Sequence, residues 1–195
     1  WDYNGRLKSV DGSDKWLECR YGPDRTPVWQ LTGQSGETSG QYKRFVYDTN
    51  GSYPVLLLVL SEDGAGELNQ ADRYFWINGQ NIAIQTSDAD LYYNIHDRLG
   101  SIRQVIDPNL AIINRFDYDP YGKTLLADIA TGSNYSSYHR YAGYKWEEAA
   151  GMYNCNARWY DPELMRFISR DPVRGKLNQP LSLQRYLYCN NDGVN

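Results

Sequence analysis

The feature that most constrains this chain is a recurring aromatic-Asp-x-x-Gly turn. Strict copies stand at Trp1-Asp2-Tyr3-Asn4-Gly5, Tyr47-Asp48-Thr49-Asn50-Gly51 and Tyr118-Asp119-Pro120-Tyr121-Gly122, with a looser copy at His96-Asp97-Arg98-Leu99-Gly100. Degenerate relatives begin at Tyr21, Trp76, Tyr141 and Tyr160, which gives a period of about 20 to 30 residues, the range of stacked repeat architectures. Each residue of the copy has a task. The aromatic closes a strand, the Asp side chain accepts from a backbone N–H two residues on, and Gly supplies the positive φ of the reversal. The spacing predicts successive antiparallel hairpins with tight turns at Gly5, Gly51, Gly100 and Gly122.

Segments between turns alternate as half-buried strands do. Ile102, Gln104 and Ile106 oppose Arg103, Val105 and Asp107, and Ile112, Asn114, Phe116 and Tyr118 oppose Ile113, Arg115 and Asp117. Tyr153, Cys155, Ala157 and Trp159 share one predicted face, and Asn154, Asn156, Arg158 and Tyr160 the other, so Cys155 reads as a small core residue rather than a nucleophile. Aromatic usage agrees: 18 Tyr and 6 Trp stand against 4 Phe and 2 Met, rings with a polar handle that suit half-buried strands. The best helix candidate is 161–167, with Asp161 as cap and Pro162 at the first helical position. Asp107-Pro108, Asp119-Pro120, Asp161-Pro162 and Asp171-Pro172 read as turns. The expected fold class is all-β.

Several function classes fall away. A net charge of -4 provides no basic field for nucleic acid or anionic lipid. The longest apolar run, 55–60, is far short of the roughly 20 residues of a membrane-spanning helix. Three cysteines (Cys19, Cys155, Cys189) and two histidines (His96, His139) at wide spacings match no disulfide framework or metal motif, so neither metal nor cofactor is expected. No Gly-x-Ser-x-Gly elbow accompanies either histidine, which argues against a hydrolase triad. Residue 1 is Trp with no leader after it, and the chain reads as a fragment.

The ordered motifs His96-Asp97-Arg98-Leu99-Gly100-Ser101, Phe116-Asp117-Tyr118-Asp119-Pro120-Tyr121-Gly122, Ala157-Arg158-Trp159-Tyr160-Asp161-Pro162 and Arg166-Phe167-Ile168-Ser169-Arg170-Asp171-Pro172 resemble the RHS repeat-associated core. Residues 1–90 resemble the looser YD repeats that precede such a core, which assigns 1–90 to degenerate repeats and 91–195 to the core. Met165 departs from the pattern, since the family places Gly there, and so does Asp192-Gly193, where the family more often reads NNP. The resemblance implies antiparallel hairpins spiralling into a hollow β-shell closed by the core, as in bacterial polymorphic toxins, the C component of insecticidal toxin complexes and teneurins.

In toxin members the shell encloses a variable C-terminal effector, which an aspartate-dependent self-cleavage frees. By that resemblance Asp171 is the candidate catalytic aspartate and Arg170 the residue that helps hold charge; the second aspartate and the scissile bond lie past Asn195. Two carboxylates sharing a proton would be required, so the chain carries at most half of such a site. The implied partners are upstream YD repeats and a downstream effector, with self-association through exposed strand edges, in a secreted or cell-surface setting. A competing reading is an adhesin whose exposed Tyr and Trp rings stack on a glycan or engage a protein ligand. Buried rings favour the container and an exposed row of rings favours the adhesin.

Overall fold

The computed structural model describes residues 1–2, 6–12, 14–23, 26–37, 39–51, 53–62, 66–129 and 138–193. Eleven strands form one antiparallel sheet in strict sequence order: β1 (Ser9–Asp11), β2 (Lys15–Tyr21), β3 (Pro27–Gln34), β4 (Gln41–Asp48), β5 (Val55–Glu62), β6 (Leu68–Ile77), β7 (Gln80–Gln85), β8 (Leu91–His96), β9 (Ile102–Ile106), β10 (Ile112–Tyr118) and β11 (Thr124–Ile129). A second, four-stranded sheet follows, β12 (Lys145–Glu147), β13 (Met152–Cys155), β14 (Arg158–Asp161) and β15 (Arg166–Phe167). The all-β expectation holds, and the remaining regular structure is short 3-10 turns.

The turns explain why the large sheet is a meander. At 97–101 the Asp97 carboxylate accepts from the N–H groups of Leu99 and Ser101, both at 2.9 Å, while Asp97 N–H donates to the Ser101 carbonyl. Gly100 takes φ 84°. The 119–123 turn repeats this pattern, with Asp119 accepting from Tyr121 and Lys123 and Gly122 at φ 84°. The same turn recurs at 107–111, where Leu110 occupies the left-handed position at φ 66°, and at 86–90, where Ala89 does so at φ 68°. Gly51 differs from the expectation: it lies in a longer β4–β5 connection outside the positive-φ region. Gly5 lies outside the described residues.

Three local readings are corrected. Residues 161–167 form no helix. Asp161 ends β14, its carboxylate accepts from Glu163 and Leu164 N–H, and the chain reverses into β15, because the Asp-Pro start serves a turn as well as a cap. Ile102 and Val105 are both fully buried, contrary to strict alternation, because His96 pairs with Ile102 and Ile95 with Gln104, leaving Arg103 in a bulge that switches faces. Trp159 does not share a face with Tyr153. The reversal at Asn156 (φ 58°) sets Tyr153 opposite Tyr160 and Asn154 opposite Trp159.

The large sheet wraps the small one. One face of the small sheet carries Met152 and Trp159, which join Leu7, Leu17 and Cys19 in a single cluster under β2. The other carries a row of rings across all four strands, Trp146, Tyr153, Tyr160 and Phe167, completed by Tyr141 and Tyr188. Between these lies the main core on the inner face of β4–β10, from Phe45, Leu56 and Val59 to Ile102, Val105 and Phe116, with Tyr138. His139 belongs here, edge-on to Trp76 at 5.0 Å and to Tyr74 at 5.6 Å.

Two predictions follow from this packing. Met165 holds φ 55°, a region that costs a non-Gly residue about 1–2 kcal/mol, so Met165→Gly is expected to be neutral to stabilising by about 1 kcal/mol in denaturant unfolding. Burial lowers the His139 imidazole from 6.5 to about 3, so between those values the unfolded chain binds a proton that the folded chain refuses. Stability is therefore lost as pH falls from 6.5 toward 3. His139→Phe is expected to make the fall in Tm over that range shallower.

Candidate functional site

The small sheet is held in the large one by side chains that span long stretches of sequence. Tyr153 Oη donates to the Gly122 carbonyl at 3.0 Å and Tyr160 Oη to the Tyr121 carbonyl at 2.6 Å. Tyr141 Oη donates to the Pro120 carbonyl at 2.7 Å. The 119–122 turn is thus the seat of three tyrosine hydroxyls. On the opposite side Trp159 Nε1 donates to Tyr21 Oη at 3.1 Å, which itself donates to the Leu7 carbonyl. Burial raises the pKa of these phenols, Tyr153 and Tyr160 included, so they remain neutral donors. A Cβ on Gly122 would come within 2.4 Å of the Tyr141 ring, which is why the seat requires glycine.

Charge enters this interior at Arg140, whose guanidinium lies 5.2 Å from the Phe116 ring centroid, and at a string that begins with Lys145. Lys145 Nζ donates to Gln30 Oε1 at 3.2 Å, and Gln30 Nε2 donates to Glu147 Oε2 at 2.6 Å. All three side chains are buried, and the Lys145 ammonium lies 3.6 Å from the Phe45 ring centroid. Burial lowers Lys145 to about 8. The Cys155 thiol is pushed well up by burial, which fits its reading as a core residue.

Asp171 follows β15, and four contacts hold it. Its carboxylate pairs with Arg158 Nη1 at 2.9 Å and accepts from Val173 N–H at 2.8 Å, and its own N–H donates to the Arg185 carbonyl at 3.0 Å. Arg185 returns a guanidinium bond to the Asp171 carbonyl. The Arg158 guanidinium lies over the Phe167 ring, 3.5 Å from its centroid, so the cation is pre-positioned by the aromatic row. Arg170, which the resemblance implies helps hold charge, is exposed; the cation paired with the Asp171 carboxylate is Arg158. The signal for Arg158 lay in the ARxYDP motif, but no spacing rule connects β14 to residue 171.

The chain leaves this region along a fixed course. Phe167 N–H donates to the Tyr186 carbonyl, Tyr188 packs 4.2 Å from Tyr160, Tyr121 Oη donates to the Asn191 carbonyl and Tyr141 Oη contacts the Gly193 carbonyl at 3.1 Å. A Cβ on Gly193 would meet the Pro120 carbonyl at 2.3 Å, so the glycine in the variant Asn-Asn-Asp-Gly sequence is what passes beneath the 119–122 turn. Among the described residues no group of His, Cys, Asp or Glu side chains could hold a metal, and no helix is long and apolar enough to cross a membrane.

The teneurin YD-shell family model matches residues 69–194. The chain belongs to this family. Among curated relatives, the tRNA3(Ser)-specific nuclease WapA of Bacillus spizizenii is 28% identical over 201 residues, covering 100% of this chain and 8% of that protein. Toxin subunit YenC1 of Yersinia entomophaga is 27% identical over 192 residues, covering 89% of this chain and 19% of its own length. The crystal structure of TcdB2-TccC3 without its hypervariable C-terminal region superposes with a TM-score of 0.73 at 22% identity, over 100% of this chain and 10% of that one. The chain therefore corresponds to a small part of these much longer YD-shell proteins, and the RHS/YD-repeat β-shell expected from its motifs is its fold.

The Arg158–Asp171 pair is partly exposed, at 24% and 28% for the two side chains, so its coupling should be modest. A double-mutant cycle with Arg158→Ala and Asp171→Asn is expected to give about 0.5–1 kcal/mol. Arg158→Ala alone should cost more than the coupling, through lost packing on Phe167, whereas Arg170→Ala should stay within about 0.5 kcal/mol of the parent.

Proposed function

We propose that this chain is the closing segment of a YD-repeat shell that encapsulates a C-terminal toxin or effector. In this reading β1–β11 is a stretch of wall, residues 138–193 form the plug, upstream repeats pair onto the β1 edge, and the effector follows the plug. The observation that carries it is the plug itself: a separate sheet clamped to the wall on both faces, with tyrosine hydroxyls tied to the turn that closes β10 and β11. Relatives that are a tRNA nuclease and a toxin subunit support a toxin-bearing parent, whose setting in this reading is secreted or cell-surface. The division at residue 90, between looser repeats and core, belongs to the same proposal.

The rings favour a container over an adhesin. Tyr74, Tyr92, Tyr138, Tyr141, Tyr153, Trp159, Tyr160 and Tyr188 are buried. Among the described residues the exposed rings are fewer: Phe75 and Tyr93, which flank Ala83 in register on the outer face, together with Trp1, Tyr53 and Tyr186.

Within the container reading, Asp171 is half of an aspartate-dependent self-cleaving site, with Arg158 holding its carboxylate in place and Arg170 on the exposed side of the same segment. The partner carboxylate and the scissile bond belong to the sequence beyond Asn195, as the resemblance implies.

The test uses the parent protein with its flanking sequence. Its C-terminal region is expected to resist a protease that digests the same region when expressed alone, and to be released by self-cleavage that Asp171→Asn abolishes. Digestion at the rate of the free region would overturn encapsulation. Cleavage unchanged in Asp171→Asn would leave Asp171 a turn residue.

A further inference from the structure

Between the small sheet and the inner face of the wall lies a cavity of about 410 Å³ that neither the shell nor the cleavage site uses. That volume falls within the range of small-molecule pockets, roughly 300–1,000 Å³. Tyr47, Leu56, Trp76 and Tyr144 contribute apolar walls, and Lys145 and Asn154 line it as well. The last two are register partners on adjacent strands, β12 and β13, so their side chains rise side by side from the same face.

Both are short of acceptors. Asn154 is 7% exposed, and while its Oδ1 accepts from Asn156 N–H, its Nδ2 is buried with no hydrogen-bond partner. A buried donor left unpaired costs about 1–3 kcal/mol. Lys145 is 8% exposed and has one acceptor, Gln30 Oε1. Glu147 stands two residues along β12 on the same face, but it makes no direct ion pair with Lys145: its carboxylate is taken by Gln30 Nε2, so the Gln30 amide stands between the two charges. A buried ammonium without a carboxylate in contact is costly, and the lowered value near 8 expresses that cost. Thr26 and Asn156 also line the cavity and can both donate and accept; His139 is held neutral by burial, and the Trp76 N–H is already given to the Leu56 carbonyl.

We infer that this cavity is a binding site for a small carboxylate with an aromatic or apolar body. The carboxylate accepts from Lys145 and Asn154, and the body lies against Tyr47, Trp76 and Tyr144. Two adjacent donors match the two oxygens of a carboxylate, whereas a cation brings no acceptor for either of them. The site is independent of the cleavage proposal, because it shares no residue with Asp171 and its partners.

The experiment measures binding of phenylacetate to the chain by titration calorimetry and by thermal shift, with 2-phenylethylamine as the matched cation. Phenylacetate is expected to bind and raise Tm, and the amine to do neither. Lys145→Met is expected to weaken phenylacetate at least about tenfold. Asn154→Asp keeps the acceptor for Asn156 and places a carboxylate beside Lys145, so it should raise Tm in the absence of ligand and exclude phenylacetate. Equal responses to the acid and the amine would overturn the inference, as would no response to the acid at millimolar concentration. So would Asn154→Asp binding phenylacetate as the parent does.

Discussion

A curved sheet of eleven strands has one inner face and nothing of its own to cover it. Each hairpin satisfies its backbone through its neighbours, but Phe45, Val59, Tyr74, Ile84, Ile102, Val105 and Phe116 all face inward, and such a surface must be filled by other parts of the chain or be left in water. The four-stranded sheet is that filling. Its composition follows from where it sits. A plug between the ends of a curved wall must be apolar enough to bury and polar enough to attach to turn carbonyls, and tyrosine does both with one side chain. The row Trp146, Tyr153, Tyr160 and Phe167 is therefore core packing and fastening at once.

The turns were the most legible part of the fold. Asp97 and Asp119 adopt the geometry that their residues suggested, since an Asp carboxylate taking two backbone N–H groups and a left-handed Gly are local effects. The copies at 107–111 and 86–90 were harder to see, because Leu110 and Ala89 fill the left-handed position and Thr86 replaces the Asp. Here the ladder hydrogen bonds of the flanking strands override the cost of positive φ. Face assignments failed wherever a bulge or a two-residue reversal changed parity, at Arg103 and at Asn156. A period-two pattern carries no record of such shifts.

The surroundings of Asp171 were legible to a lesser degree. The motif singled out the residue as a candidate, but the cation on its carboxylate is Arg158, positioned by a ring one strand away, and not its sequence neighbour. The buried Lys145, Gln30 and Glu147 string could not be anticipated at all. Gln30 is separated from its partners by 115 and 117 residues, and each residue alone reads as an ordinary polar strand position. Such a string fixes the plug against β3 in one register, because a slip of one residue would leave an ammonium and a carboxylate buried without partners.

The order of the parts along the chain has a kinetic consequence. Hairpins of the wall involve near neighbours and can form as the chain emerges, but the segment that covers their inner face is made only after them. Until it arrives, a concave apolar surface is open to solvent and to other chains, the condition that invites aggregation and chaperone capture in slowly completed folds. Synthesis of the wall thus precedes its own stabilisation, and the rate at which residues 138–193 emerge and dock governs how long the molecule stays vulnerable. A bound occupant beneath the plug would shorten that interval.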